Sequence, residues 1–537
     1  MLGITGACLA AIGLKVALQA SGSVPFNADE AVVALMARHI LIGERPIFFY
    51  GQAYMGSLDA FLVAGGFGFF GEEVWVIRAV QTILYLGTLI STAVLGRLIF
   101  KSWIVGTLAA WLLAIPSVNV TLYTTVSLGG YGEALLIGNL ILIAAMRIGN
   151  PDDRLRCHSS GWQWLALGFL AGLGLWVFGM TLVYTLPAFA YLAWRWQQSC
   201  TAGLTKPLKI LQVAAITTLG LVLGAAPWLI YGIGHGITSL VSELGGSTIA
   251  GIEGLSWPQQ TLRHMLNLVL IGSTAVFGLR PPWELRWLAI PLLPVALAFW
   301  IGVITHHTRW SLDNINGLRR INQPEWLLIG VGLTLILGFI LTPFGADPTG
   351  RYFLPLAVIL ALFASRAMID WQARWGNAIW IFLPTILIFH LWGTVQVAAA
   401  SPAGLTTQLD IRTRSDTRQV RELLEFLQAE GEQHGYSSYW LSYPMAFLSH
   451  ESIIFSPRLP YHLGLRYNPR DNRYPVYDRV VAESDRVAYI TMDYPALDNH
   501  LRLAFGGMGV SWEEKAIGNF RIFYRLSRPV YLEEVGL

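Results

Sequence analysis

Residues 27–58 read NADEAVVALMARHILIGERPIFFYGQAYMGSL. Asn27 can cap a helix whose first turn holds Asp29 and Glu30, close to a capping box. Acids in a first turn also suit the positive end of the helix dipole. The pattern predicts a helix to about Ile42 that ends at Gly43. The aromatic, glycine-bearing turn PIFFYGQAYMG follows at 46–56. Successive helical side chains point about 100° apart, so one acid can cap while the other faces a cavity. The stretch lies between two long apolar segments, where carboxylates beside a membrane need a reason.

The chain around this stretch is apolar. Of its 537 residues, 54% are hydrophobic and 13% charged, and the mean hydropathy is +0.52. Soluble domains carry about a quarter charged residues, so the composition calls for a polytopic α-helical membrane protein. The 21 tryptophans fit membrane interfaces. A net charge of +3 without a basic cluster excludes nucleic acid as a partner. Cys8, Cys157 and Cys200 have no metal-ligand spacing, so neither a disulfide framework nor a zinc site is expected. No P-loop or dinucleotide fingerprint follows a soluble strand, so no nucleotide cofactor is expected. The first residues, MLGITGACLAAIGLKVALQASG, have no basic leader region, and Lys15 interrupts them. They fit a cleaved signal or a first membrane helix, and the closeness of the acidic pair favours the helix.

Spans are predicted near 2–20, 74–97, 103–120, 131–148, 162–177, 179–195, 208–231, 287–305, 326–342, 353–369 and 376–398, which makes about eleven. Pro116, Pro187, Pro227 and Pro294 lie in or near them, as neighbouring membrane helices allow. Gly168, Gly172, Gly174 and Gly179 give the small-residue spacing of close helix packing. The basic loops hold Arg97 and Lys101; Arg147, Arg154 and Arg156; Arg195, Lys206 and Lys209; Arg309, Arg319 and Arg320; and Arg366 and Arg374. All share the cytoplasmic side if the N-terminus is cytoplasmic. The Asp29 loop, residues 121–130, 232–286 and 343–352, and everything after 399 then face outward. Residues 263–279 are read as an interfacial or re-entrant helix, because a crossing there would reverse Arg309, Arg319 and Arg320.

After 399 the composition changes. SDTRQVRELLEFLQAEGEQHG predicts an amphipathic helix capped by Asp416, with Gln419 three residues on and Val420, Leu423, Leu424 and Leu427 as its stripe. SYWLSY, SIIFSP, RVAYITMD and FRIFYRL are strand-like. The expected organisation is a transmembrane domain over 1–399 and a soluble extracytoplasmic α/β domain over 400–537. The first contains an outer loop at 21–73 with two short interfacial helices and a second outer loop at 232–286.

A carboxylate at the outer surface can take a proton from a hydroxyl attacking an activated sugar carbon. That chemistry also needs a cationic site for a lipid phosphate leaving group and a groove for the lipid. The order of parts resembles the GT-C glycosyltransferases of the protein O-mannosyltransferase and aminoarabinose transferase type. A membrane helix precedes an outward loop opening with Asp29-Glu30. A short helix, the aromatic turn and a second short helix ending in Phe69-Phe70-Gly71 follow. Arg78 opens the next span. GRYFLPL at 350–356 looks like their late RY-x-LP element.

The resemblance, over roughly 1–400, implies a transferase that uses a polyprenyl-phosphate sugar at the outer face, in the cell envelope. No further cofactor is implied, since the lipid-linked sugar is a substrate; the metal requirement is left open. The acceptor is a glycan, lipid or protein of unknown kind, and a single displacement inverts the sugar carbon. Asp29 aligns with the catalytic acid, as general base, and Glu30 with the adjacent acidic position. Arg351 and Tyr352 match the late motif and are expected near the phosphate or the lipid. Two departures stand out. Val32 replaces a basic residue common in relatives. The turn GQAYMGSLD at 51–59 offers Gln52 and Tyr54 where aminoarabinose-type relatives carry a base, so phosphate contacts are expected from elsewhere. YWLSYPMAFLSHESIIFSP at 439–457 and NRYPVY at 472–477 resemble an extracytoplasmic domain appended to some bacterial members.

Tyr131 and Glu133, in GGYGEALLIGN, are candidate sugar contacts, with interfacial hydration as the plain alternative for Glu133. Phe48, Phe49, Tyr50 and Tyr54 can stack on sugars or anchor the loop. His306-His307 is read as a loop pair and not as a metal site, since adjacent helical residues do not share a face. His235 and His264 are read as solvated loop residues. The competing readings are a transporter or flippase of a lipid-linked substrate with an accessory outward domain, and a lipid-binding scaffold without catalysis. No internal repeat supports the transporter. The protein is thus placed in the plasma (inner) membrane, multi-pass, with its C-terminal domain extracytoplasmic.

Overall fold

A computed structural model of the chain describes residues 2–149, 161–201, 207–247, 249, 254–316, 324–347, 349–400, 404–408, 410–414 and 416–537. Arg154, Arg156, Lys206, Arg319 and Arg320, used above for orientation, lie outside them, as does Cys157.

Helix α1 (Leu2–Ala20) leads through an irregular stretch to α2 (Ala28–Leu41), whose last turn is followed by Gly43 at φ 115°. Lys15, on α1, is buried and donates to the hydroxyls of Thr124 and Thr125 at 2.9 and 3.1 Å, which explains a lysine in an apolar run. The aromatic turn forms a hairpin of β1 (Phe48–Phe49) and β2 (Gln52–Gly56), closed by Tyr50-Gly51. Helix α3 (Leu58–Phe70) ends at Gly71, and α4 (Val74–Phe100) carries Arg78 in its second turn. Helix α5 (Trp103–Ala114) stops before Pro116, so the span expected over 103–120 is shorter and α6 (Val118–Tyr123) is separate. The next helices are α7 (Tyr131–Ile148), α8 (Gly161–Val177), α9 (Leu182–Thr201) and α10 (Pro207–Gly224).

Helix α11 (Ala226–His235), opened by Pro227, bends 69° from the preceding helix, so the expected span at 208–231 is broken. Helices α12 (Ile237–Leu244), α13 (Trp257–Leu266) and α14 (Ser273–Val276) occupy the long loop, with a π-helical stretch, Asn267–Gly272, between the last two. Helices α15 (Leu293–Asn316), α16 (Glu325–Leu341), α17 (Leu354–Trp375) and α18 (Phe382–Ala398) complete this part.

Among the described residues, six helices are long and apolar enough to cross a membrane, or seven if the bent pair is one span. The expected spans at 103–120, 162–177 and 326–342 overlap shorter helices, and that at 179–195 overlaps α9, which has 20 residues but is not among the six. Glycines set the tightest packing. A Cβ on Gly168 or Gly172 of α8 would sit 2.1 Å from a backbone oxygen of α10, so the small-residue stripe faces α10 as well as its neighbour in sequence.

The C-terminal part holds α19 (Thr417–Glu430), capped by Asp416, which accepts from the Arg418 amide at 2.8 Å. Its stripe of Val420, Leu423, Leu424 and Leu427 is buried as the pattern predicts. Strands β3 (His434–Tyr436), β4 (Ile454–Ser456), β5 (Ala488–Met492), β6 (Glu513–Ile517) and β7 (Phe520–Tyr524) form one sheet in the order β4-β3-β5-β7-β6. The β4-β3-β5 part is parallel and the rest antiparallel. Alternate residues of β5 enter different cores: Ala488 and Ile490 meet α19, while Tyr489 meets the helix Pro495–Gly507. Helices therefore cover both faces, and β5 is buried throughout.

SYWLSY is a correction. It lies in helix α20 (Tyr439–Leu448), not in a strand. Tyr439 and Tyr443, four apart, lie ring to ring at 5.4 Å, while Leu441 and Met445 turn into the sheet core. Alternation over six residues did not separate this helical period from a strand.

Candidate active site

The start of α2 separates the two acids. The Asn27 side chain accepts from the Glu30 amide at 3.0 Å, which fixes the first turn. Glu30 then points inward, fully buried, and accepts from Arg78 Nε at 3.0 Å and Nη2 at 2.9 Å. Asp29, one residue earlier, points elsewhere and is half-buried, and it accepts the hydroxyl of Tyr439 from α20. Burial, with the Asp29 carboxylate beside it, pushes the Tyr439 hydroxyl well up, so it stays a donor.

Arg473 enters from the loop after the short helical turn Pro469–Asp471. Its backbone amide donates to the Tyr443 hydroxyl at 2.6 Å, and that hydroxyl donates to the Asp471 carbonyl at 3.2 Å. The guanidinium lies 5.5 Å from the Tyr439 ring and 5.9 Å from the Phe49 ring. The Gln52 carboxamide oxygen, so oriented, accepts from its two terminal nitrogens at 2.7 and 2.8 Å. Its Nε is buried without a partner. Gly51 makes this approach possible: its φ is 71°, and a Cβ there would meet Arg473 Cδ at 3.1 Å. Burial works against the Arg473 charge, but Tyr439 and Asp29 more than offset it, and its pKa lies above the ordinary arginine value.

A second cation lies across Tyr54. Asn119 donates to the Gly350 carbonyl at 3.0 Å, and Gly350, at φ 87°, turns the chain into Arg351. Arg351 pairs with Asp347 and lies 5.1 Å from the Tyr352 ring. Arg351 Nε and the Tyr352 hydroxyl are buried without partners. Tyr54 feels Arg351, Arg473, Asp29 and Asp347 together, while burial raises its pKa. Tyr54 and Tyr352 also line an apolar cavity of about 270 Å³ that continues along Phe178, Leu186, Leu335 and Phe339, between α9 and α16. Tyr131 packs edge-on against Phe178 at 4.8 Å, within the field of Arg351.

The structure thus gathers Asp29, Gln52, Tyr54, Tyr131, Arg351 and Tyr352. It turns Glu30 onto Arg78 and buries Glu133, at 2% exposure, beside Asp59. Asp59 accepts from Gln81 at 2.8 Å and from Ser127. Sequence reasoning passed over Asp59, Asp347, Tyr439, Asp471 and Arg473. The missing base in the 51–59 turn was the signal that a cation had to come from another segment.

The histidines take other places. His306 and His307 lie within α15 and not in a loop. His306 meets Asp370 at 3.2 Å, and His307 meets the Phe363 carbonyl at 2.9 Å. His264 is buried against the Ile340 carbonyl at 3.0 Å and is not solvated, while His235 stacks on Tyr231 at 3.9 Å. Among the described residues no three His, Cys, Asp or Glu side chains come together to hold a metal ion.

No protein-family model and no curated protein matches the chain. Solved structures do. ArnT from Cupriavidus metallidurans bound to undecaprenyl phosphate aligns at a TM-score of 0.55 and 12% identity, covering 97% of this chain and 98% of that one. The Archaeoglobus fulgidus oligosaccharyltransferase in the apo form aligns at 0.52 and 13%, covering 90% and 69%. Its complex with zinc and sulfate aligns at 0.50 and 13%, covering 97% and 73%. The chain therefore shares the fold of these membrane glycosyltransferases.

Proposed function

We propose that the protein is a membrane glycosyltransferase that moves a sugar from a polyprenyl-phosphate donor to an acceptor at the outer face of the plasma membrane. One observation carries this reading. Tyr54 and Tyr352 line an apolar cavity, and the charges of Asp29 and Arg351 act on Tyr54. The fold shared with ArnT, a structure bound to undecaprenyl phosphate, supports it.

The cavity takes the first part of the prenyl chain, and the phosphate lies at its mouth beside Arg351. Asp29 accepts the proton of the acceptor hydroxyl as its oxygen bonds to the anomeric carbon. The bond from that carbon to the phosphate oxygen breaks, and the electron pair leaves with the polyprenyl phosphate. Arg351 stabilises the charge that grows there. One displacement of this kind inverts the sugar carbon. The positive-inside pattern supports a cytoplasmic N-terminus, with 400–537 outside.

The test is sugar transfer from a panel of polyprenyl-phosphate sugars by purified protein, wild type beside Asp29→Asn. Transfer by the wild type and its loss in a folded variant is the expected result. Equal transfer by both removes Asp29 from the chemistry. A wild type inactive with every donor, yet able to move lipid-linked sugar across vesicles, replaces the reading with a flippase.

A further inference from the structure

The reaction proposed above leaves a phosphate that gains negative charge as the sugar departs. Of the acids and bases that Tyr54 feels, Asp29 and Asp347 are negative, and Arg351 is already paired with Asp347. With Arg351 alone, the mouth of the cavity carries one more negative than positive charge and repels an anion. Arg473 cancels that excess, two charges of each sign then acting on Tyr54. It comes from the C-terminal domain, more than a hundred residues further along the chain.

Its surroundings are unusual for a structural arginine. Both terminal nitrogens bond the neutral Gln52 carboxamide, and the buried Nε bonds nothing. Asp29 and Asp471 act on this charge, but among the described residues neither pairs with it directly, and a guanidinium whose terminal nitrogens bond only a neutral amide keeps donors for an anion. The geometry also positions it firmly. Phe49, Tyr439 and Gly51 fix its stem and plane from three sides. A planar fork with donors left over suits a phosphate, which accepts two parallel N–H bonds.

We infer that Arg473 is a binding residue for the phosphate of the lipid-linked donor, acting across Tyr54 from Arg351. The C-terminal domain then completes the active site instead of merely covering it. This rests on the donor reading above. Gln52 serves as a positioning residue that orients the guanidinium without neutralising it.

The test compares binding of undecaprenyl phosphate and of undecaprenol, which lacks the phosphate, to the full chain in detergent by native mass spectrometry. The wild type is expected to prefer the phosphate form. Arg473→Gln should lose about tenfold or more of that preference, the scale of one charge-assisted contact, with undecaprenol binding unchanged. Arg473→Lys should recover part of it. Gln52→Glu keeps the arginine packed but sets a carboxylate on it, and should lose the preference in a folded protein. A folded Arg473→Gln or Gln52→Glu protein with the full wild-type preference overturns the assignment. A wild type without any phosphate preference overturns the donor reading as well, so the two failures are distinct.

Discussion

The Glu30 carboxylate accepts two hydrogen bonds from Arg78, at 3.0 and 2.9 Å, with none of its surface exposed. Its neighbour Asp29 faces Tyr439 instead. One residue of helical rotation divides an acidic pair into a member engaged by Arg78 and the one proposed as the base. Glu30→Gln leaves Arg78 buried without a counter-charge, a loss of about 3–5 kcal/mol for a broken buried pair. Thermal unfolding in detergent should show a large drop for Glu30→Gln and a small one for Asp29→Asn, while Asp29→Asn alone removes transfer at a temperature where both are folded. A Glu30→Gln protein as stable as the wild type would reverse the division of roles.

Much of this was legible in the chain. Asn27 as the cap, Gly43 as a helix stop, and Val420, Leu423, Leu424 and Leu427 as a buried stripe follow from local chemistry, which acts within one or two turns. What stayed hidden depends on distant segments. Tyr439 and Arg473 reach Asp29 and Gln52 from the far end of the chain, and no periodicity records such a meeting. The SYWLSY helix was misread because both of its faces are buried, so alternation and helical spacing coincide over so short a run. Glu30 and Glu133 look available in sequence, and only packing shows that Arg78 engages the first and that the second is buried beside Asp59.

Gly51 carries a second prediction. Its φ of 71° is disfavoured for a residue with a Cβ, and the added atom would sit 3.1 Å from Arg473 Cδ. Gly51→Ala therefore strains the hairpin turn by about 1–2 kcal/mol and pushes the guanidinium off Gln52. Transfer should fall several-fold while the melting temperature shifts by only a few degrees. An unchanged rate would mean that the position of Arg473 does not matter.

Asp471 makes stability depend on pH. Burial pushes its carboxyl up to about 7, with Arg473 and the Tyr461 hydroxyl pulling it down and Asp29 pushing it further up. Unfolded, the same group ionises near about 3.9. Between these values the folded chain keeps a proton that the unfolded chain releases, so this group's contribution falls as pH rises from about 4 and is fully lost above about 7. Asp471→Asn removes the dependence. The variant should match the wild type near pH 4 and melt progressively higher than it up to pH 8. Parallel melting curves at every pH would show that Asp471 titrates normally.

The apolar cavity yields the last prediction, and it separates tail from head group. Gly338 lines the cavity on α16, and a Cβ there would meet nothing within 4 Å. Gly338→Leu therefore meets no clash at its Cβ, and replacing a glycine inside a helix favours folding by up to about 1 kcal/mol. The added side chain occupies the volume assigned to the prenyl chain. Binding of undecaprenyl phosphate and of undecaprenol should weaken together, by several-fold, with the melting temperature kept or raised. Arg473→Gln should by contrast weaken only the phosphate form, because its contact is with charge and not with hydrocarbon. If Gly338→Leu leaves both lipids bound as in the wild type, the cavity between α9 and α16 does not hold the tail, and the lipid must reach Tyr54 by another face.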